Sequence, residues 1–301
     1  MQELKEMLSG VFVPVVTPFK NDELSLGDLR ENLRKLAKTE LKGYLALGSN
    51  GEFRSLSERE QLEVLEVFAG EKGDKVVMVG AGCESTHETV ERTRRVARMG
   101  FPFASILTPG YFPKQLDEEA LVRFYTRVAD ESPVPILLYN APGFTGGVAI
   151  SARAVDRLAG HENIVGMKDS SSTGPGVILA TLDPDHEFYT LAGSANFLYS
   201  ALHLGATGGV VSLANPLPEA CCRLYRLFSE GKFGEALELS HRLVRLNTAI
   251  SGSLGVAGVK AAMEMTGFRG GEPRHPLRTP TQEERERIRA SIVKEGMIDA
   301  Q

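Results

Sequence analysis

Eight short apolar segments recur along this 301-residue chain, and they limit its possible folds more than any other feature. They are Val11–Val16, Tyr44–Leu47, Val76–Val79, Phe103–Leu107, Ile136–Tyr139, Ile164–Met167, Phe188–Leu191 and Gly209–Ser212. Each has strand length and reads as a continuous apolar run. Strands covered on both faces have that pattern, whereas a half-exposed strand alternates. The centres lie about 20–33 residues apart, the length of a strand followed by a helix. Eight such units predict an α/β protein, a closed (β/α)8 TIM barrel. An open doubly wound sheet is the alternative.

The gaps carry amphipathic stretches with start signals. Ser57 with Glu60 reads as a capping box, and Ser85 with Glu88 repeats the pattern. Asp117 opens Asp117–Asp130, Ser151 opens Ser151–Leu158, and Pro218–Ser229 follows the eighth run. A catalytic barrel over 1–230 and a helical extension over 231–301 are expected. The extension reads as helices over Lys232–Ala249 and Val256–Met265, with a third capped by Thr281 and Glu284 and running to about Lys294. Gly267–Pro280 is its longest loop.

Composition narrows the partners. Hydrophobic residues make up 42% and charged residues 24%, enough apolar surface to offset ordering entropy, so disorder is excluded. A net charge of −5 argues against nucleic acid, which needs clustered positive charge. No apolar run approaches the roughly 18 residues of a membrane span. Met1–Gly10 has mixed charge and no apolar stretch of a secretory signal. Three cysteines, Cys83, Cys221 and Cys222, make a poor disulfide framework and lack zinc spacing, so a cytoplasmic setting is expected.

Active sites of this architecture lie at the C-terminal ends of the strands. Those ends offer Thr17-Pro18, Gly48-Ser49-Asn50-Gly51-Glu52, Thr108-Pro109-Gly110-Tyr111, Tyr139-Asn140, Lys168-Asp169-Ser170 and Gly193-Ser194. Most of the 12 lysines sit among polar neighbours, but Lys168 finishes the run Ile164-Val165-Gly166-Met167. Burial favours the neutral form of an amine, and a neutral amine attacks carbonyls to form a Schiff base. The competing reading is an ion pair with Asp169, weakened because adjacent strand residues face opposite sides. Tyr139 is either a core tyrosine or a phenol that relays the proton imine formation must move. The Gly48–Gly51 turn exposes backbone N–H groups suited to a carboxylate, or is a plain loop. Glu52 is a general base or, the preferred reading, a hydrogen-bond partner behind the site. Lys260, among apolar neighbours in the tail, reads as structural.

Several other patterns lead nowhere. Gly80-Ala81-Gly82-Cys83-Glu84-Ser85 opens like a dinucleotide fingerprint but lacks its third small residue and the later acidic one. No P-loop occurs. The six histidines form no metal-binding pair, and none ends a predicted strand, so no metal is expected. Cys221-Cys222 reads as packing. Gly193-Ser194-Ala195 suits phosphate, without specificity.

Three of these segments together match a known pattern. Gly48-Ser49-Asn50-Gly51-Glu52, Tyr139-Asn140-Ala141-Pro142 and Gly166-Met167-Lys168-Asp169-Ser170 resemble the signatures of the dihydrodipicolinate synthase/N-acetylneuraminate lyase family. Members are pyruvate-dependent class I aldolases on a (β/α)8 barrel, and the resemblance spans nearly the whole chain. It implies Lys168 as the Schiff-base lysine and Tyr139 as the proton relay. It implies Ser49 and Asn50 as the positions that hold the keto-acid carboxylate, with Gly193 and Ser170 lining the pyruvate pocket. Tyr111 matches a tyrosine that in many members reaches into a neighbouring subunit, so a homotetramer built from dimers is implied. No cofactor is required, because the imine nitrogen withdraws electrons itself.

Departures from the pattern bear on the substrate. Dihydrodipicolinate synthases usually carry two threonines at Ser49-Asn50 and an arginine at Phe144, and Gly110 replaces a common tyrosine. A phenyl ring makes no bidentate contact to a carboxylate. Gly48-Ser49-Asn50-Gly51-Glu52-Phe53, Leu191–Ala195, Gly208–Asn215 and Gly255–Lys260 look like 4-hydroxy-2-oxoglutarate aldolase, and 2-keto-3-deoxy sugar-acid aldolases share parts of this pattern. The expected reaction is reversible cleavage of a 4-hydroxy-2-keto acid to pyruvate and an aldehyde. Condensation of pyruvate with aspartate semialdehyde, a keto-acid dehydratase and a non-enzymatic keto-acid sensor are the alternatives.

Overall fold

The structure, a computed structural model, describes residues 2–252 and 254–299. Eight parallel strands form a closed barrel: β1 (Gly10–Pro14), β2 (Gly43–Ala46), β3 (Val76–Gly80), β4 (Phe103–Leu107), β5 (Ile136–Asn140), β6 (Ile164–Asp169), β7 (Tyr189–Ala192) and β8 (Gly208–Val210). Their order is β1-β8-β7-β6-β5-β4-β3-β2. The eight apolar runs and the eight strands coincide within a few residues. The (β/α)8 reading holds, with a helical C-terminal extension.

Contacts group the chain into two compact units. The first contains Val76–Ser194, Ser200–Val210 and the segment up to Ser9. Its strands β4 to β8 are buried at every position, which is why their sequences do not alternate. Helices Thr86–Arg98, Glu118–Glu131 and Ala152–Ala159 begin where the start signals place them. Ser85 accepts from the Glu88 N–H, Asp117 from that of Ala120 and Ser151 from that of Ala154. A cap of this kind stabilises a helix by about 1 kcal/mol. The helix Gly176–Thr181 escaped the sequence reading, because six residues with no capping side chain give no periodic signal.

The second unit contains Gly10–Lys75, Ala195–Tyr199 and the chain from Val211 onward. β1 and β2 pair with Phe12 opposite Gly43 and Pro14 opposite Leu45. A two-stranded ribbon, Phe19–Lys20 with Glu23–Leu24, turns through Asn21 and Asp22. Both turn residues have positive φ, a conformation Asn and Asp tolerate. The helix Leu26–Leu36 also went unread. Its Ser25 hydroxyl donates to the Asp28 carboxylate, so no capping box marks the start. By contrast, Glu58–Glu71 and Gln282–Lys294 start on complete capping boxes, Ser57 with Glu60 and Thr281 with Glu284. The buried Asn215 joins the turn after β8 to the end of β1. Its Nδ2 donates to the Pro14 carbonyl, and its Oδ1 accepts from the Val16 N–H. Among the described residues, no helix is long and apolar enough to cross a membrane.

Candidate active site

The sequence reading ends the sixth strand at Met167, but β6 runs two residues further and includes Lys168 and Asp169. The extension matters because it places both residues in register with their neighbours. Tyr139 lies opposite Lys168, and Asn140 lies opposite Asp169. Successive strand residues face opposite sides of a sheet. The two adjacent dipeptides therefore divide into an inner pair and an outer pair.

The outer pair ties the strand ends. Asn140 Nδ2 donates to Asp169 Oδ1 at 2.7 Å. Asn140 Oδ1 accepts from the Ile150 N–H at 3.1 Å, next to the helix cap at Ser151. The Ser171 hydroxyl donates to Asp169 Oδ2 at 2.8 Å. These bonds occupy the Asp169 carboxylate and fix its side of the sheet as the helix side. An ion pair between Lys168 and Asp169 is not formed.

The inner pair is left to face the lumen. Lys168 is 5% exposed, and its Nζ sits 4.2 Å from the centre of the Tyr139 ring. Among the described residues, Lys168 has no carboxylate partner. A buried amine against an aromatic ring, with no carboxylate partner among the described residues, is the kind of group that can attack a carbonyl.

Ser170 and Gly193 complete this corner. The Ser170 N–H donates to the Asn140 carbonyl, and the Gly193 N–H donates to the Asp169 carbonyl at 2.7 Å. A Cβ at Gly193 would fall 2.0 Å from the Ser170 hydroxyl and 2.5 Å from the Asp169 carbonyl. Only glycine lets β7 approach this closely. Thus Lys168, Tyr139, Ser170 and Gly193, four of the residues expected at the site, converge within one unit.

Tyr111 lies on the loop after β4, with its ring 75% exposed and packed edge-on against Phe112 at 4.8 Å. Glu84 holds that loop, its Oε2 accepting from the N–H groups of Gly110 and Tyr111 at 2.9 Å each. No local pattern marks this clamp, since its two halves are 26 residues apart. Phe144 ends the short helical turn Pro142–Phe144 and is 63% exposed.

In the second unit, Ser49 and Asn50 lie in the turn after β2. Two left-handed residues other than glycine flank this turn, Leu47 at φ 52° and Glu52 at φ 51°. Such strain costs about 1–3 kcal/mol per residue and collects at functional sites. Asn50 Nδ2 is buried and finds no hydrogen-bond partner among the described residues. A donor left open in this way is a natural place for a ligand's oxygen. Beneath the turn, Lys260 Nζ lies 2.5 Å from Glu52 Oε1, and both side chains are buried. Lys260 therefore has a structural partner, and Glu52 is a support rather than a free base. Among the described residues, no three His, Cys, Asp or Glu side chains gather as a metal-holding group.

The barrel and this corner define a class, and the similarities to known proteins place the chain within it. A family model for the dihydrodipicolinate synthetase family matches residues 7–295. The chain is 34% identical to 4-hydroxy-tetrahydrodipicolinate synthase of Methanothrix thermoacetophila, over 96% of this chain and 97% of the relative. It is 30% identical to the probable mitochondrial 4-hydroxy-2-oxoglutarate aldolase of Emericella nidulans, over 99% of each. The solved dihydrodipicolinate synthase of Thermotoga maritima superposes with a TM-score of 0.89 at 26% identity, covering 97% of this chain and all of that one. The chain belongs to the dihydrodipicolinate synthetase family. It is a carbon–carbon lyase of the class I aldolase kind.

Proposed function

We propose that this enzyme reversibly cleaves a 4-hydroxy-2-keto acid, such as 4-hydroxy-2-oxoglutarate or a 2-keto-3-deoxy sugar acid, to pyruvate and an aldehyde. The observation that carries the reading is the inner pair, a buried Lys168 amine 4.2 Å from the Tyr139 ring with no carboxylate partner among the described residues. In this reading Lys168 Nζ attacks the C2 carbonyl, and Tyr139 passes the proton that lets water leave. The iminium then draws the C3–C4 bonding pair as the C4 hydroxyl gives up its proton. The aldehyde departs, leaving an enamine. Protonation at C3 and hydrolysis return the lysine and release pyruvate. Splitting the reaction through a covalent intermediate replaces one difficult step by easier ones.

Ser49 and Asn50 are assigned to the keto-acid carboxylate, supported by the unpartnered Asn50 amide. Gly193 and Ser170 shape the pyruvate pocket, and Tyr111 serves a neighbouring subunit's site in a homotetramer built from dimers. No cofactor is assigned. We read residues 1–230 as the catalytic barrel, 231–301 as its helical extension, and the setting as cytoplasmic.

The 34% identical synthase favours a second reading, condensation of pyruvate with aspartate semialdehyde. Phe144 speaks against it, since the exposed phenyl ring offers no cation to a second carboxylate. Incubation with pyruvate and borohydride, followed by mass mapping, should find a reduced adduct on Lys168 alone. Parallel assays with 4-hydroxy-2-oxoglutarate and with aspartate semialdehyde separate the two substrates. An adduct elsewhere, or none, would sink the proposal.

A further inference from the structure

We infer that Glu52 and Lys260 act as positioning residues, holding the Ser49–Asn50 turn in the shape that receives the keto-acid carboxylate. The inference rests on the assignment of that turn made above.

The geometry begins with the lysine. Lys260 sits in the helix Gly255–Met265 and is 0% exposed. Its ammonium meets three groups: Glu52 Oε1 at 2.5 Å, the Glu272 carbonyl at 2.7 Å, and the Phe19 ring at 4.6 Å from its centre. The ammonium thus donates a hydrogen bond to a carbonyl and meets a carboxylate and an aromatic face besides. Glu52 is gripped from the other side as well. Its Oε2 accepts from the Arg274 N–H at 2.9 Å. The side chain is thus fixed at both oxygens.

What that grip controls is backbone. Glu52 holds a left-handed φ of 51° directly after Gly51. Its own N–H donates to the Ser49 carbonyl, closing the turn, and Thr17 donates to the Gly51 carbonyl. A strained residue keeps such a conformation only where its surroundings over-determine it. Releasing Glu52 would let the turn relax, moving Ser49 and Asn50 with it.

Stability alone does not account for the pair. Buried ion pairs lose much of their attraction to desolvation, and apolar replacements are often as stable or more so. Their distinctive contribution is direction. Burial draws the Lys260 pKa down to about 8, against the opposing pull of Glu52, with Arg274 lowering it and Glu272 raising it slightly. The charge that holds Glu52 should therefore fade in mildly alkaline solution. In that range the sign for stability is opposite. A lysine depressed in the fold is neutral there while the unfolded chain still binds its proton, so this group favours folding more as pH rises. A merely structural pair would not weaken substrate binding while its own contribution to stability grew.

The test measures the pyruvate concentration that gives half-maximal borohydride trapping on Lys168. In Glu52→Gln and Lys260→Met, with folding checked by circular dichroism, it should rise on the order of tenfold, while trapping at saturating pyruvate stays close to wild type. In the wild type it should climb as pH passes about 8, and in Lys260→Met that climb should vanish. Folded variants with wild-type half-saturation would overturn the inference. Should neither variant fold, a wild-type half-saturation unchanged across the alkaline range would do the same. A wild type that traps no pyruvate at all would remove the functional reading and this inference together, which distinguishes the two failures.

Discussion

Lys168 and Lys260 are both buried, yet their surroundings differ sharply. Lys260 has a carboxylate, a carbonyl and an aromatic face around its ammonium. Lys168 has the Tyr139 ring and, among the described residues, no carboxylate partner, while the nearest acid in sequence, Asp169, is turned away and occupied by Asn140 and Ser171. Burial by itself does not make a nucleophile. Lys260 is the more deeply buried and has the amine whose pKa is clearly pushed down, yet its partners leave no approach for a carbonyl. In the proposed reading, what marks Lys168 is the lack, among the described residues, of a carboxylate partner, at a strand end beside the Tyr139 ring.

The sharpest way to break this contrast is to remove each amine in turn. Lys168→Ala should lower kcat by on the order of 10⁴-fold or more with thermal stability little changed. Ordinary turnover in that variant would end the contrast. Tyr139→Phe should slow imine formation by about 10²–10³-fold, read from the rate of borohydride trapping, because the relay is lost while the amine stays. Lys260→Met should still label at Lys168, but it leaves Glu52 buried without its cation, for a destabilisation of about 3–5 kcal/mol in urea unfolding.

A smaller effect tests the network behind Lys260. Arg274 hydrogen-bonds Glu60 through both guanidinium ends and holds its carboxyl down at about 2. A carboxyl depressed in the fold stabilises above its ordinary value of 4.5, and that contribution fades as pH falls toward 2. Glu60→Gln should therefore lower stability at neutral pH and flatten the loss between those limits, measured as unfolding midpoints against pH. Ser57→Ala, which removes only the helix cap next to this network, should cost about 1 kcal/mol at neutral pH and leave trapping on Lys168 unchanged.

Much of this was legible in the chain. The eight apolar runs marked eight strands, because burial on both faces writes a continuous pattern. Ser57 with Glu60 and Thr281 with Glu284 marked helix starts, because a cap is a bond between residues three apart. Lys168 stood out because its neighbours are apolar. The helices Leu26–Leu36 and Gly176–Thr181 were missed for the matching reason, since neither carries a side-chain cap. The C-terminal end of β6 was missed because charge at Lys168-Asp169 resembles a loop, and pairing with β5 and β7 keeps those residues in the strand.

The sequence by itself determined the repeat, the barrel it implies, and the residue types available at each strand end. These follow from short-range physics, the spacing of apolar side chains and the reach of a capping hydroxyl. The tertiary structure alone decided which of those groups meet. Register across β5 and β6 set Tyr139 beside Lys168 and turned Asn140 and Asp169 to the other face. A tail helix carried Lys260 to Glu52, more than two hundred residues earlier in the chain. Contacts at that separation depend on how the whole chain closes, and no local pattern records them.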